Sequence, residues 1–139
     1  MSDILNIVDK LQEIRSIVPP RQVLRMINNI RYDGCAETTA IIDALHERFV
    51  KCPRTYQTDG NKGKAVCQFR YFLRDSEFHI VELDVSGPPH HQAYGYASLN
   101  GYYPELGYIN IPDLFNSGFE LDLEFEPKTL TELNLWKEK

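Results

Sequence analysis

The stretch Ala93–Pro127, AYGYASLNGYYPELGYINIPDLFNSGFELDLEFEP, decides the fold class, because strand, turn and helix signals succeed one another in it at hairpin spacing. Gln92 to Leu99 reads as a strand. Asn100-Gly101 follows as a hairpin turn, since both residues tolerate positive φ, and Leu106 to Ile111 returns as the next strand. Pro112-Asp113-Leu114-Phe115 predicts a single helical turn. Glu120 to Glu126 then alternates fully, with Leu121, Leu123 and Phe125 against Glu120, Asp122, Glu124 and Glu126, which predicts a half-buried strand with an acidic outer face.

Upstream, the period is also two from Lys64. Ala65, Cys67, Phe69, Tyr71 and Leu73 alternate with Val66, Gln68, Arg70, Phe72 and Arg74, a strand with a basic outer face. Asp75-Ser76 turns the chain into Glu77 to Val85, and Gly87-Pro88-Pro89 breaks the sheet. Downstream, Thr129-x-x-Glu132 is a capping box that starts a short helix, with Leu130, Leu133 and Trp136 toward the core. The N-terminal third has helical spacing. Ser2 caps a first helix carrying Ile4, Leu5, Val8, Leu11, Ile14 or Arg15, and Val18, stopped by Pro19-Pro20. Pro20 opens a second, whose stripe is Val23, Leu24, Ile27 and Ile30 and which ends at Asp33-Gly34. Ala36 to Val50 forms a third, with Ile41, Ile42, Leu45 and Phe49 on one side. These signals predict one α+β domain over residues 1–139. Residues 1–51 are helical, 52–63 form a Pro/Gly-rich loop, and 64–139 form an antiparallel, meander-like sheet of about five strands with a short C-terminal helix.

Over residues 66–133 the chain resembles a family of small proteins of unknown function that are common on plasmids, prophages and integrating elements. The motif that carries the likeness is Pro104-Glu105-Leu106-Gly107-Tyr108, followed by an acidic strand ending in Glu126-Pro127. The resemblance implies a fold and a genomic habitat, with no established activity. It also places an acidic residue at Asp122. Within the motif, Gly107 is expected to permit a close backbone approach and Glu105 to accept hydrogen bonds at the strand entrance. The long helices ahead of the sheet depart from the family pattern.

The formal net charge is −5, and residues 105–139, with eight acidic and three basic side chains, account for all of it. Arg48 to Arg74 is the opposite, with seven basic residues against Asp59. An acidic total disfavours sequence-blind binding to nucleic acid. No apolar run reaches the ~20 residues of a membrane span, and Met1-Ser2-Asp3 lacks the basic start of a signal peptide, so a cytoplasmic location and no membrane partner are expected. Cys35, Cys52 and Cys67 are odd in number and widely spaced, which suits reduced thiols better than a disulfide framework or a zinc clip.

Four groups of side chains are candidates for function. Glu120, Asp122, Glu124 and Glu126 would stand about 7 Å apart on one strand face, as a docking surface for a basic partner or as charge that guards a sheet edge. Tyr94, Tyr96, Tyr102, Tyr103 and Tyr108 form a dense aromatic set suited to anchoring a partner. Arg48, Arg54, Lys62, Lys64, Arg70 and Arg74, with Phe72 on the same strand face, could neutralise phosphates and stack on bases. His79, His90 and His91 with Glu82 or Glu105 are the residues from which a metal site would be built. The two adjacent histidines splay apart on a strand, so no metal is expected. Ser76, Ser86, Ser98 and Ser117 lack a nucleophile elbow, and no P-loop or Gly-x-Gly-x-x-Gly turn calls for a nucleotide cofactor.

These features favour a non-catalytic interaction protein that docks its acidic face on a host protein, such as a defence nuclease or the nucleic-acid groove of one, in a counter-defence role. The alternatives are a nucleic-acid accessory module using residues 48–74, and a small hydrolase or transferase built on His79, a cysteine and an acid.

Overall fold

The computed structural model describes residues 2–33, 36–53, 64–83, 92–100 and 104–135. Three helices precede the sheet: α1 (Ser2–Ile14), α2 (Pro20–Asn28), which runs on into a π-type turn at Asn29–Asp33, and α3 (Ala36–Lys51). The strands are β1 (Val66–Cys67), β2 (Phe69–Leu73), β3 (Ser76–Leu83), β4 (Gln92–Ser98) and β5 (Glu105–Asn110). Helix α4 (Ile111–Ser117) leads to β6 (Glu120–Leu121), and β7 (Lys128–Thr129) comes last. The main sheet is antiparallel in the order β5-β4-β3-β2-β6, and β1 pairs separately with β7. The architecture is α+β.

Helices cover one face of the sheet. Ile7, Leu11 and Ile14 of α1, Val23 and Met26 of α2, and Ile42, Leu45 and Phe49 of α3 share one core with Phe69, Tyr71, Ile80, Leu83, Ile109 and Leu121. Lys10 to Asp43 (2.7 Å) and Glu13 to His46 pin α1 to α3. The other face carries a smaller core, in which Ala65, Cys67, Val81 and Tyr96 meet Leu130, with Phe125, Leu133 and Leu135 packed against it.

Local sequence signals account for most element ends. Asn110 caps α4 by accepting the Asp113 N–H (3.1 Å), Pro112 sits in its first turn, and Gly118 ends it at φ 93°. The helix therefore runs for two turns where one is predicted. Asn100 adopts φ 54° as expected, and Gly101 lies outside the described residues. The β2–β3 turn falls one residue early, at Arg74-Asp75, so that Ser76 opens β3 and its hydroxyl accepts the Asn100 N–H (3.0 Å). The Thr129/Glu132 box forms reciprocally (3.0 and 3.1 Å) around one helical turn. Asn134 at φ 59° closes that turn, with Leu135 N–H on Leu130 O and Asn134 N–H on Thr131 O. Trp136 lies outside the described residues.

Two predicted strands are broken. The run from Lys64 bends at Gln68, so Ala65 and Cys67 enter the smaller core while Phe69 and Tyr71 enter the main one. The acidic strand ends after Leu121, because the Asp122 carboxylate accepts the Glu124 N–H (3.0 Å) and Phe125 N–H returns to Asp122 O (3.3 Å). A short acidic side chain that bonds its own backbone competes with the ladder, which periodicity does not register.

Gly95, not Gly107, is where backbone approaches closely. A Cβ at Gly95 would overlap the His79 carbonyl oxygen, next to the bulge between Ile80 and Glu82, whereas one at Gly107 meets nothing within 4 Å. Gly95→Ala should therefore cost at least ~3 kcal/mol in urea unfolding, and Gly107→Ala, on edge strand β5, less than ~0.5 kcal/mol. Equal losses at the two positions would contradict this packing.

Candidate functional site

Helices α1 and α2 bury one side each and leave the adjoining sides apart. At about 100° per residue, Ile7, Leu11 and Ile14 fall on one arc of α1, with Val8 and Gln12 on the next, and Arg15 follows in the turn after the helix. On α2, Gln22, Val23 and Met26 are buried, and Leu24 and Ile27 lie on the neighbouring arc. Between them is a cleft of about 720 Å3. Leu11, Val18 and Val23 form its buried floor, and Ile30 follows α2 along the wall. Its rims are Val8, Leu24 and Ile27, which are 43%, 60% and 41% exposed. Among the described residues, the charged side chains that line it are Arg15 and Arg31.

Two long-range ties hold these walls. The Gln22 amide donates to Leu121 O (2.8 Å) and accepts from Leu121 N–H (2.7 Å), which fixes α2 against β6. The fully buried Tyr71 hydroxyl donates to Ile17 O and so anchors the α1–α2 corner to β2. Burial, with a smaller contribution from Cys52, pushes the Tyr71 pKa well above that of a free phenol, so the hydroxyl keeps its proton.

The acidic face does not form. Glu120 is exposed and lies 3.8 Å from Arg25, Asp122 is paired with Arg70 (2.9 Å), and Glu124 and Glu126 follow the Asp122 turn and share no strand face with either. The physical cause is the turn itself, together with Arg70, which draws Asp122 back over β2.

Two members of the basic stretch, Arg48 and Arg70, are engaged by the chain itself. Arg48 donates to Gln68 O (3.1 Å) and Phe125 O (2.8 Å), with its guanidinium over the Phe69 ring. It satisfies carbonyls that the bend at Gln68 and the loop after Asp122 leave without a ladder partner. Arg70 lies between Glu77 (Nε to Oε1, 3.0 Å) and Asp122, and over Phe72. Burial works to lower the Arg70 pKa and is outweighed by Glu77 and then Asp122, which together hold it above its usual value. Lys64 and Arg74 are exposed. Arg54 and Lys62 lie outside the described residues.

Tyr94 and Tyr108 meet edge to face (5.3 Å) on the outer face of β4 and β5, with Tyr108 mostly exposed and Tyr96 buried. Tyr102 and Tyr103 lie outside the described residues. This makes a two-ring patch with Leu106 at β5, the edge strand of the sheet among the described residues.

His79 is 5% exposed, packs edge-on to Phe125 (6.0 Å), and its Nδ1 has no hydrogen-bond partner among the described residues. Glu82 is buried, Glu105 is exposed, and His90 and His91 lie outside the described residues. Cys67 is buried in the smaller core, where loss of solvent raises its thiol pKa to about 12, while Cys52 lies in the main core. A thiol in that environment is a poor nucleophile. Among the described residues no group of three or more His, Cys, Asp or Glu could hold a metal ion. No described helix is long and apolar enough to cross a membrane.

Comparison with family models, curated proteins and solved structures returned no match to this chain.

Burial lowers the His79 pKa. Glu77 and Asp122 oppose the shift and Arg70 reinforces it. A folded imidazole that resists protonation leaves the unfolded chain to bind the proton first, so stability is lost as pH falls through the ordinary histidine value of about 6.5. The urea midpoint should drop between about pH 7.5 and about pH 5.5, and drop less in His79→Leu. Identical pH slopes for the two proteins would remove this role.

Proposed function

We propose that this protein acts by binding a protein partner in the cleft between α1 and α2. The observation that carries the reading is the rim of Val8, Leu24 and Ile27, three aliphatic side chains exposed around a concave, buried aliphatic floor. Exposed apolar surface of this kind is costly in water, and each side chain that a partner fully covers contributes roughly 1.5–3 kcal/mol. Hot-spot contacts usually lie in such concave, desolvated positions.

The likeness of residues 66–133 to proteins of plasmids, prophages and integrating elements supplies the partner class, a host protein, and with it the counter-defence reading. The docking element in this proposal is the helical cleft. Direct nucleic-acid binding loses support, because Arg48 and Arg70 are engaged by the chain's own carbonyls and carboxylates. A hydrolase or transferase loses support, because His79 faces Phe125 in the sheet rather than an open pocket.

Leu24→Asp and Ile27→Asp are exposed changes that should alter folding stability by less than about 1 kcal/mol. Used as bait against lysate from cells that carry the gene, the wild-type chain should retain a partner, identified by mass spectrometry, that both variants lose by at least ~10-fold. A partner retained equally by all three would place the interface elsewhere.

A further inference from the structure

We infer that the cleft receives an acidic amphipathic helix, one that presents apolar side chains at i, i+3 or i+4, and i+7 between flanking carboxylates. The inference rests on the cleft being the docking site and adds the chemistry of the occupant. Its first support is charge. Arg15 and Arg31 are the charged lining residues among those described. Arg21 and Arg25 are exposed on α2, the latter 3.8 Å from Glu120, and from Pro20 to Asp33 the sequence has one acid, Asp33. In a chain of net charge −5 this is a local cationic surface, and guanidinium groups beside an apolar floor select carboxylates at the edges of whatever lies on it.

Shape is the second support. The cleft is open along two helices, of which α1 has 13 residues, about 20 Å of helix, and its rims remain exposed. A small amphiphile seated on the floor would leave Leu24 and Ile27 in water. A third helix of about 14 residues covers both rims at once and presents its apolar stripe to the floor, the helix-in-groove mode of peptide recognition.

Other occupants fit less well. The lining has no aromatic ring among the described residues, so a nucleic-acid strand would gain phosphate contacts and no stacking. A second copy of this chain in a two-fold arrangement would set the same surface, with its lining Arg15 and Arg31, against itself and oppose like charges. A lipid surface needs a convex apolar face, and this one is concave.

The test is selection, on the full chain, of a displayed library of amphipathic helices of about 14 residues with a fixed apolar stripe and randomised flanking positions. The expected result is enrichment of Asp and Glu at the flanks, with binding that weakens at least ~10-fold in Leu24→Asp and in an Arg15→Glu/Arg31→Glu double variant, and that falls as salt rises. Enrichment of Lys, Arg or uncharged flanks in clones that still depend on Leu24 would overturn the acidic partner and leave the cleft as the docking site. Clones indifferent to Leu24→Asp and Ile27→Asp would overturn both. No enrichment overturns the inference. So does Leu24-dependent self-association in light scattering, or Leu24-dependent sedimentation with phosphatidylglycerol vesicles, since either names a different occupant.

Discussion

A single buried amide sets the geometry on which the rest depends. Gln22 gives both halves of its side chain to Leu121, the N–H and the carbonyl of the same residue, across 99 positions of sequence. Strand β6 is two residues long and lies at the sheet edge, so this pairing supplies what a further strand would otherwise provide. A buried polar side chain on an amphipathic helix costs stability unless it is satisfied, and once satisfied it fixes rotation as well as position. With Gln22 turned to β6, Leu24 and Ile27 point away from the sheet. The Tyr71 hydroxyl on Ile17 O holds the preceding corner, between the ends of the two helices. The cleft follows from these two ties.

What could be read from the sequence was local. Pro112 to Phe115 announce α4, Thr129 and Glu132 announce the last turn, and the helix-forming stretches of the first 50 residues stand out by their period. What could not be read was which apolar arc of a helix would be covered. Val8, Leu24 and Ile27 belong to stripes that look like core, and their exposure depends on contacts that carry no periodic signal. The one available hint is that the apolar residues of α2 spread over an arc of roughly 160°, with a glutamine beside its buried end. The alternation of Glu120 to Glu126 fails for the complementary reason. Period two describes side-chain polarity, and the Asp122 carboxylate closes a backbone turn that polarity does not report.

Charge has a different job here from the one that composition suggests. The excess of carboxylates after residue 104 looks like a surface for a cationic partner, yet Asp122 is drawn in by Arg70, and Arg48 is committed to three carbonyls and a ring. Such half-buried pairs specify how the segment after β6 folds back over the outer face, where Phe125 meets His79. Arg15 and Arg31 line the apolar cleft on the helical side. Electrostatics therefore organises the outer side of the molecule internally.

The claim at the centre is that Gln22 holds α2 in the orientation that opens the cleft. Native-state hydrogen exchange on the wild type and Gln22→Ala tests it most directly, because the amide at stake, Leu121 N–H, is itself an exchange probe. The account predicts that Gln22→Ala loses ~2–4 kcal/mol of protection at the Leu121 amide and through α2, with α3 and the β3–β4 pair affected less. Protection at Leu121 and α2 that matches the wild type would contradict it.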